Sequence, residues 1–182
     1  MIVDEPVRLV VFGDFNCPFS ALASTRAATL ERQGLAEIDW RGVEHDPTIA
    51  VAGEVVTPAR QKDFEQELDQ VRGLLRAGEP DRLRVPQLRA NTRLATEAYA
   101  TAAPDERSEV RERLFAAYWS VGLDLNDPGI VEAIAGDKRD DTTVRRWQHQ
   151  WQALPQPIVP ALVLPDGYAS RGIGALARLG PG

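Results

Sequence analysis

Cys17 is the only cysteine in the chain. It stands in the run Asp14-Phe15-Asn16-Cys17-Pro18-Phe19-Ser20. A strand-like segment ends just before it and a helical pattern opens at Pro18, so Cys17 falls at a helix N-terminus. Backbone N–H groups there lack helical partners, and the helix dipole is positive. Such a position favours the thiolate, the form that attacks disulfides and electrophiles. The opposite reading of a lone cysteine is an inert small hydrophobe in a core. Ser20, one turn on, either donates a hydrogen bond to the sulfur or satisfies backbone groups of its own turn.

Other residues near the thiol carry polar chemistry. Asn16 and Asp14 share its loop, and Asp14 is either a buried acid or a solvated loop carboxylate. His45 is either an acid–base group turned to the site or a surface loop histidine. Pro18 and Phe19 provide an apolar collar for the thiol, or pack on neighbouring helices. One cysteine excludes an intrachain disulfide and any metal site built on several thiolates. The 2 histidines, His45 and His149, belong to no metal-ligand pattern. No phosphate-binding glycine loop and no Gly-x-Ser-x-Gly motif occurs.

The elements that must position these residues follow from periodicity. Val7, Leu9, Val10, Val11 and Phe12 read as a buried strand. The helix after Cys17 carries Leu22, Ala23, Ala27 and Leu30 on one face and stops at Gly34. Residues 36–41 alternate apolar and polar, a second strand. Strand, helix, strand at this spacing is a right-handed parallel crossover, whose ligands gather at the carboxyl ends of the strands. Cys17 and His45 both lie there. Thr57-Pro58 opens a helical stretch that holds five helices with no strand signal. Helix starts are expected at Pro58, Pro86, Pro104, Pro128 and Asp141. Trp147 and Trp151 face a core, and the mixed Arg/Glu run 105–113 is a solvated face. Residues 158–164 form a strand, Pro165-Asp166-Gly167 a turn, and residues 168–171 the return strand. A last helix carries Leu176 and Leu179. Pro160 is an edge-strand proline or a cis one.

Composition sets the class. With 43% hydrophobic and 26% charged residues over 182 positions, the chain is an ordinary globular protein. The net charge of −6 and the lack of a basic stripe disfavour nucleic acid. No apolar run is long enough to span a membrane, and the N-terminus lacks a signal-peptide pattern. A cytoplasmic protein is expected, and a homodimer is left open.

Three segments carry a family resemblance. Asp14–Ser20 resembles the Cys-Pro-x-Cys motif of DsbA and FrnE-like oxidoreductases. Val159-Pro160-Ala161-Leu162-Val163 resembles the Val-Pro-Thr segment whose proline is cis in that family, with Ala161 in place of threonine. Residues 115–128 resemble a stretch common in FrnE-like members. The resemblance implies an α/β, thioredoxin-like fold with an all-helical insertion between strand 2 and the C-terminal hairpin. The expected division is 1–57 with 156–182 for the thioredoxin-like part and 58–155 for the insertion. Where that pattern has its resolving cysteine, this chain has Ser20. The 2-hydroxychromene-2-carboxylate isomerases and kappa-class glutathione transferases share the fold and resemble Ser-Pro-x-Ser here. The motif is thus a hybrid of the two.

The resulting expectation is an enzyme: a monothiol thiol–disulfide oxidoreductase. Cys17 is its nucleophile, Ser20 its helper, and glutathione or mycothiol an external co-substrate. Pro18, Phe19, Val159 and Pro160 would bind the thiol, disulfide or protein-disulfide partner, with Asp14, Asn16 and His45 as accessory groups. No tightly bound cofactor and no metal is expected. One alternative is a thiol-cofactor-dependent isomerase or S-transferase acting on an apolar electrophile. The other is a non-catalytic binding or accessory protein that has kept the fold.

Overall fold

The computed structural model describes residues 5–180. Strand β1 (Val7–Gly13) is rich in β-branched and aromatic residues, and it becomes the central strand of a four-stranded sheet ordered β2-β1-β5-β6. β2 (Ala36–Gly42) runs parallel to it, with Val7 opposite Ala36 and Gly13 opposite Gly42. β5 (Ala161–Val163) runs antiparallel on its other side, and β6 (Ala169–Arg171) completes a hairpin with β5.

Between β1 and β2 lies α1 (Pro18–Arg32), with Pro18 at its first turn and Cys17 as its N-cap residue. Its buried face is lined with small residues, Ala21, Ala23, Ala27 and Ala28, together with Leu22 and Leu30. Small side chains let the helix lie close on the sheet. The close packing extends to Gly13, where a Cβ would sit 2.3 Å from the Trp40 ring. Only glycine fits at the end of β1.

The middle of the chain folds into helices, two of which start at the caps expected from the sequence, Thr57 and Asp127, and a third at Asp140. In α2 (Pro58–Gly73), Thr57 accepts a hydrogen bond from the Arg60 N–H. In α5 (Pro128–Ala135), Asp127 accepts from the Gly129 N–H. In α6 (Asp141–Gln152), Asp140 accepts from the Thr143 N–H. Trp147 and Trp151 are buried as expected.

Three expectations for this region are corrected. A short antiparallel pair, β3 (Glu54–Val55) and β4 (Leu88–Arg89), forms a second sheet, so the helical stretch is interrupted. The helix expected from Pro86 starts only at α3 (Arg93–Tyr99), because Gln87–Arg89 is drawn out to pair with residues 54–56. The 105–113 run is not wholly solvated. In α4 (Arg107–Ala116), Arg111 is completely buried, bonded to Ser24 Oγ at 3.0 Å and Glu31 Oε2 at 2.8 Å, with its guanidinium over the Trp40 ring.

α4 runs on into a π-helical turn, residues 117–121, closed by Gly122 in the left-handed region. This turn carries Tyr118 and Trp119 into the core. The last helix, α7 (Ile173–Arg178), packs on α1.

Candidate functional site

The loop between β1 and α1 is fixed by its own turn and by residues distant in sequence. The Cys17 N–H donates to Asp14 O at 3.1 Å, and the Ala21 N–H donates to Cys17 O at 3.1 Å as the first helical bond. Thr92 Oγ1 donates to Asp14 Oδ1 at 2.6 Å. Trp119 Nε1 donates to Phe15 O at 2.9 Å. Asn16 Nδ2 donates to Ala90 O at 2.8 Å. Each of the three residues before the cysteine is therefore held by the segment between Ala90 and Trp119.

Asp14 is a buried acid, 1% exposed. Its Oδ2 accepts the backbone N–H of His45 at 2.8 Å and lies 2.7 Å from His45 Nδ1. Oδ1 takes the Thr92 hydroxyl and, at 3.4 Å, the Asn16 N–H. Burial alone would pull the His45 ring down. The Asp14 hydrogen bond and charge, with Asp46 adding to them, reverse this and hold His45 above its usual range.

Cys17 departs from the thiolate expectation. It is 7% exposed, and burial pushes its thiol up to about 11. The Ser20 hydroxyl, the backbone N–H groups of Ser20 and Phe19 at the helix end, and the Asp14 charge also act on it. All but Asp14 favour the ionised sulfur. The helix-terminus effect is thus present, but the cost of placing a charge away from water exceeds it. Ser20 is fully buried, and its Oγ also accepts the Asp14 N–H at 3.2 Å. Its role toward the backbone is thus seen directly, and its hydroxyl also favours the ionised sulfur.

A pocket of about 300 Å³ opens beside the thiol. Six of the nine expected site residues line it: Asn16, Cys17, Pro18, Phe19, His45 and Val159. Ser20 and Asp14 stand behind the wall. The Val159–Pro160 peptide is cis, and Pro160 immediately precedes β5, an inner strand, so the edge-strand reading does not hold. Arg60 and Glu67 from α2, with Pro157 and Ile158, complete the lining. Sequence reasoning passed over Arg60 and Glu67 because they look like any exposed charges of an amphipathic helix. Thr92, the partner of Asp14, carried no signal, being 78 positions away. A larger cleft of about 860 Å³ lies among α1, α2 and α4, but several of its cations are already tied in ion pairs, Arg26 to Glu79, Arg32 to Glu112 and Arg72 to Asp81. Among the described residues no cluster of side chains suited to a metal ion is found, and no helix is long and apolar enough to cross a membrane.

The family model of the DSBA-like thioredoxin domain matches residues 8–139. The chain belongs to that family. No curated protein sequence matches this DsbA-like chain. Among solved structures, it is similar to a 2-hydroxychromene-2-carboxylate isomerase at 20% identity and a TM-score of 0.61, over 91% of this chain and 88% of that one. It is also similar to a protein described as a probable DsbA oxidoreductase from Streptomyces coelicolor, at 18% identity and a TM-score of 0.66, over 91% and 83% of the two chains. A third is reduced DsbA1 from Neisseria meningitidis, at 10% identity and a TM-score of 0.53, over 97% and 81%. At these identities the likeness is one of fold.

Proposed function

We propose that the protein is a thiol-dependent isomerase or S-transferase, taking a low-molecular-weight thiol such as glutathione or mycothiol and a small apolar electrophile. The observation that carries this reading is the state of Cys17. A thiol raised to about 11 stays protonated at neutral pH, and a protonated S–H is a poor attacker of disulfides. It is still a hydrogen-bond donor, as is the serine that stands at this position in the Ser-Pro-x-Ser pattern of the isomerase and transferase families. The pocket supports the same choice. At about 300 Å³ it has the size of a small-molecule site. Val159 and the apolar faces of Pro18 and Phe19 line it for a thiol and an apolar partner.

The runner-up is the monothiol oxidoreductase, favoured by the backbone N–H groups of Phe19 and Ser20 that act on the sulfur. Cys17→Ser separates the two. The variant and the parent are assayed with glutathione and mycothiol, once with an aryl halide or enone as electrophile and once with hydroxyethyl disulfide. The proposal requires turnover of an electrophile that survives in Cys17→Ser within about threefold. Turnover of the disulfide alone, abolished in Cys17→Ser, would replace it with the oxidoreductase.

A further inference from the structure

The pocket contains a second chemical group besides the thiol. His45 lines it together with Cys17 and Asn16. Its ring is held from behind. Asp14 Oδ2 accepts the His45 backbone N–H at 2.8 Å and meets Nδ1 at 2.7 Å. A buried carboxylate that accepts from Nδ1 fixes the neutral imidazole as the Nδ1–H tautomer, leaving the Nε2 lone pair unprotonated. Asp14 is itself prevented from turning by Thr92 Oγ1 at 2.6 Å and by the Asn16 N–H. The His45 side chain is 35% exposed, while Asp14 is 1% exposed. The pair is thus anchored on the inside and open on the pocket side.

We infer that His45 Nε2 is the proton acceptor for the thiol that enters this pocket, with Asp14 and Thr92 as its positioning residues. The inference rests on the thiol-dependent reading above for the identity of the ligand, and on the Asp14–His45 geometry for the base. The step is a proton transfer without redox change. The S–H bond of the bound thiol breaks, its electron pair stays on sulfur, and the proton passes to Nε2. The products are a thiolate and an imidazolium.

Cys17 cannot take this role, because its own proton is held more tightly than that of a free thiol. The imidazolium that forms is stabilised by Asp14, a standard arrangement for a histidine base. The charged groups around the ring belong to several elements. They are Asp14 of the β1–α1 loop, Asp46 next in the chain and Arg89 of β4. Glu44 precedes the ring in sequence and is coupled to Asp14 and Arg93. Three of these five neighbours act on the ring directly, and the two acids among the three lift it.

The test uses the single cysteine. In Cys17→Ser the protein has no thiol, so ultraviolet thiolate absorbance reports only the bound ligand. Glutathione and mycothiol are the probes, with calorimetry to measure binding. At pH 7 a free thiol is a few per cent ionised. In Cys17→Ser the bound thiol should be mostly ionised. In Cys17→Ser/His45→Gln it should fall back about tenfold or more, with binding retained. Unchanged ionisation in the double variant, with binding retained, overturns His45 as the base and leaves the thiol-dependent reading standing. Absence of binding to Cys17→Ser overturns the thiol reading and this inference with it.

Nitrogen NMR of the ring in the unmodified protein needs no substitution at the site, so loss of folding cannot mask it. With 2 histidines in the chain, His149→Gln assigns the signals. Once pH is raised until the ring is neutral, an Nδ1–H tautomer for His45 is expected, and Asp14→Asn should abolish the preference. An Nε2–H tautomer in the unmodified protein overturns the pair.

Discussion

The state of Cys17 can be read directly from its alkylation rate. A thiol at the ordinary value of 9.0 is ionised to about one part in a hundred at pH 7, and one raised to about 11 to about one part in ten thousand. Ionisation alone therefore makes Cys17 about a hundredfold slower than an unperturbed thiol, and its 7% exposure slows it further. Iodoacetamide labelling followed by intact mass gives an unambiguous signal, because there is one site. The rate should climb about tenfold per pH unit from pH 7 to 10 without levelling. Two variants check the cause. Asp14 raises the thiol and Ser20 lowers it, so Asp14→Asn should speed labelling at fixed pH and Ser20→Ala should slow it. A rate that levels near or below pH 8.5 in the unmodified protein refutes the argument that burial outweighs the helix end. It would restore the activated thiolate.

Other outcomes follow from the same physics. The folded state holds the Cys17 proton to about 11 while the unfolded chain releases it near 9.0. Stability should therefore fall as pH rises from about 9 to 11, by up to roughly 3 kcal/mol from this group. Urea titrations of the parent and Cys17→Ser isolate that part, since Tyr99, raised to about 12, acts in both proteins. Gly13→Ala would force a Cβ within 2.3 Å of the Trp40 ring and should cost about 1–3 kcal/mol, visible as a lowered Tm. Arg111→Ala removes a fully buried guanidinium from Ser24, Glu31 and the Trp40 face. It should cost about 3 kcal/mol in a urea midpoint at unchanged slope.

What the sequence discloses depends on how local the cause is. The strand–helix–strand unit was legible because hydrophobic periodicity and the Pro18 start signal are encoded within a few residues. The same holds for the caps Thr57 and Asp127, each followed by proline. β3 and β4 were not legible. Two-residue strands leave no periodic trace, and their pairing joins Glu54 to Arg89 across the whole of α2. Arg111 was misread for a related reason. Its neighbours in sequence are the charges of a solvated face, and only the three-dimensional position of Ser24 and Glu31 shows why it is inside. At the site, residue types named the participants, but the protonation of Cys17 depends on burial. Burial is a property of the whole fold, and the dipole argument, which is local, pointed the other way.

The grip on residues 14–16 has an implication for how such a protein can change. Thr92, Ala90 and Trp119 hold Asp14, Asn16 and Phe15 respectively, so the chemistry of the thiol is shared property of the sheet and of the helical stretch. A substitution at Thr92 or along the turn that carries Trp119 alters the electrostatics and reach of Cys17 without touching the motif itself. Descendants of this scaffold can therefore explore new reactivity while the strands and the Cys-Pro-Phe-Ser segment stay fixed. Conversely, transplanting that segment alone onto another thioredoxin-like sheet carries the letters of the site but not its tuning.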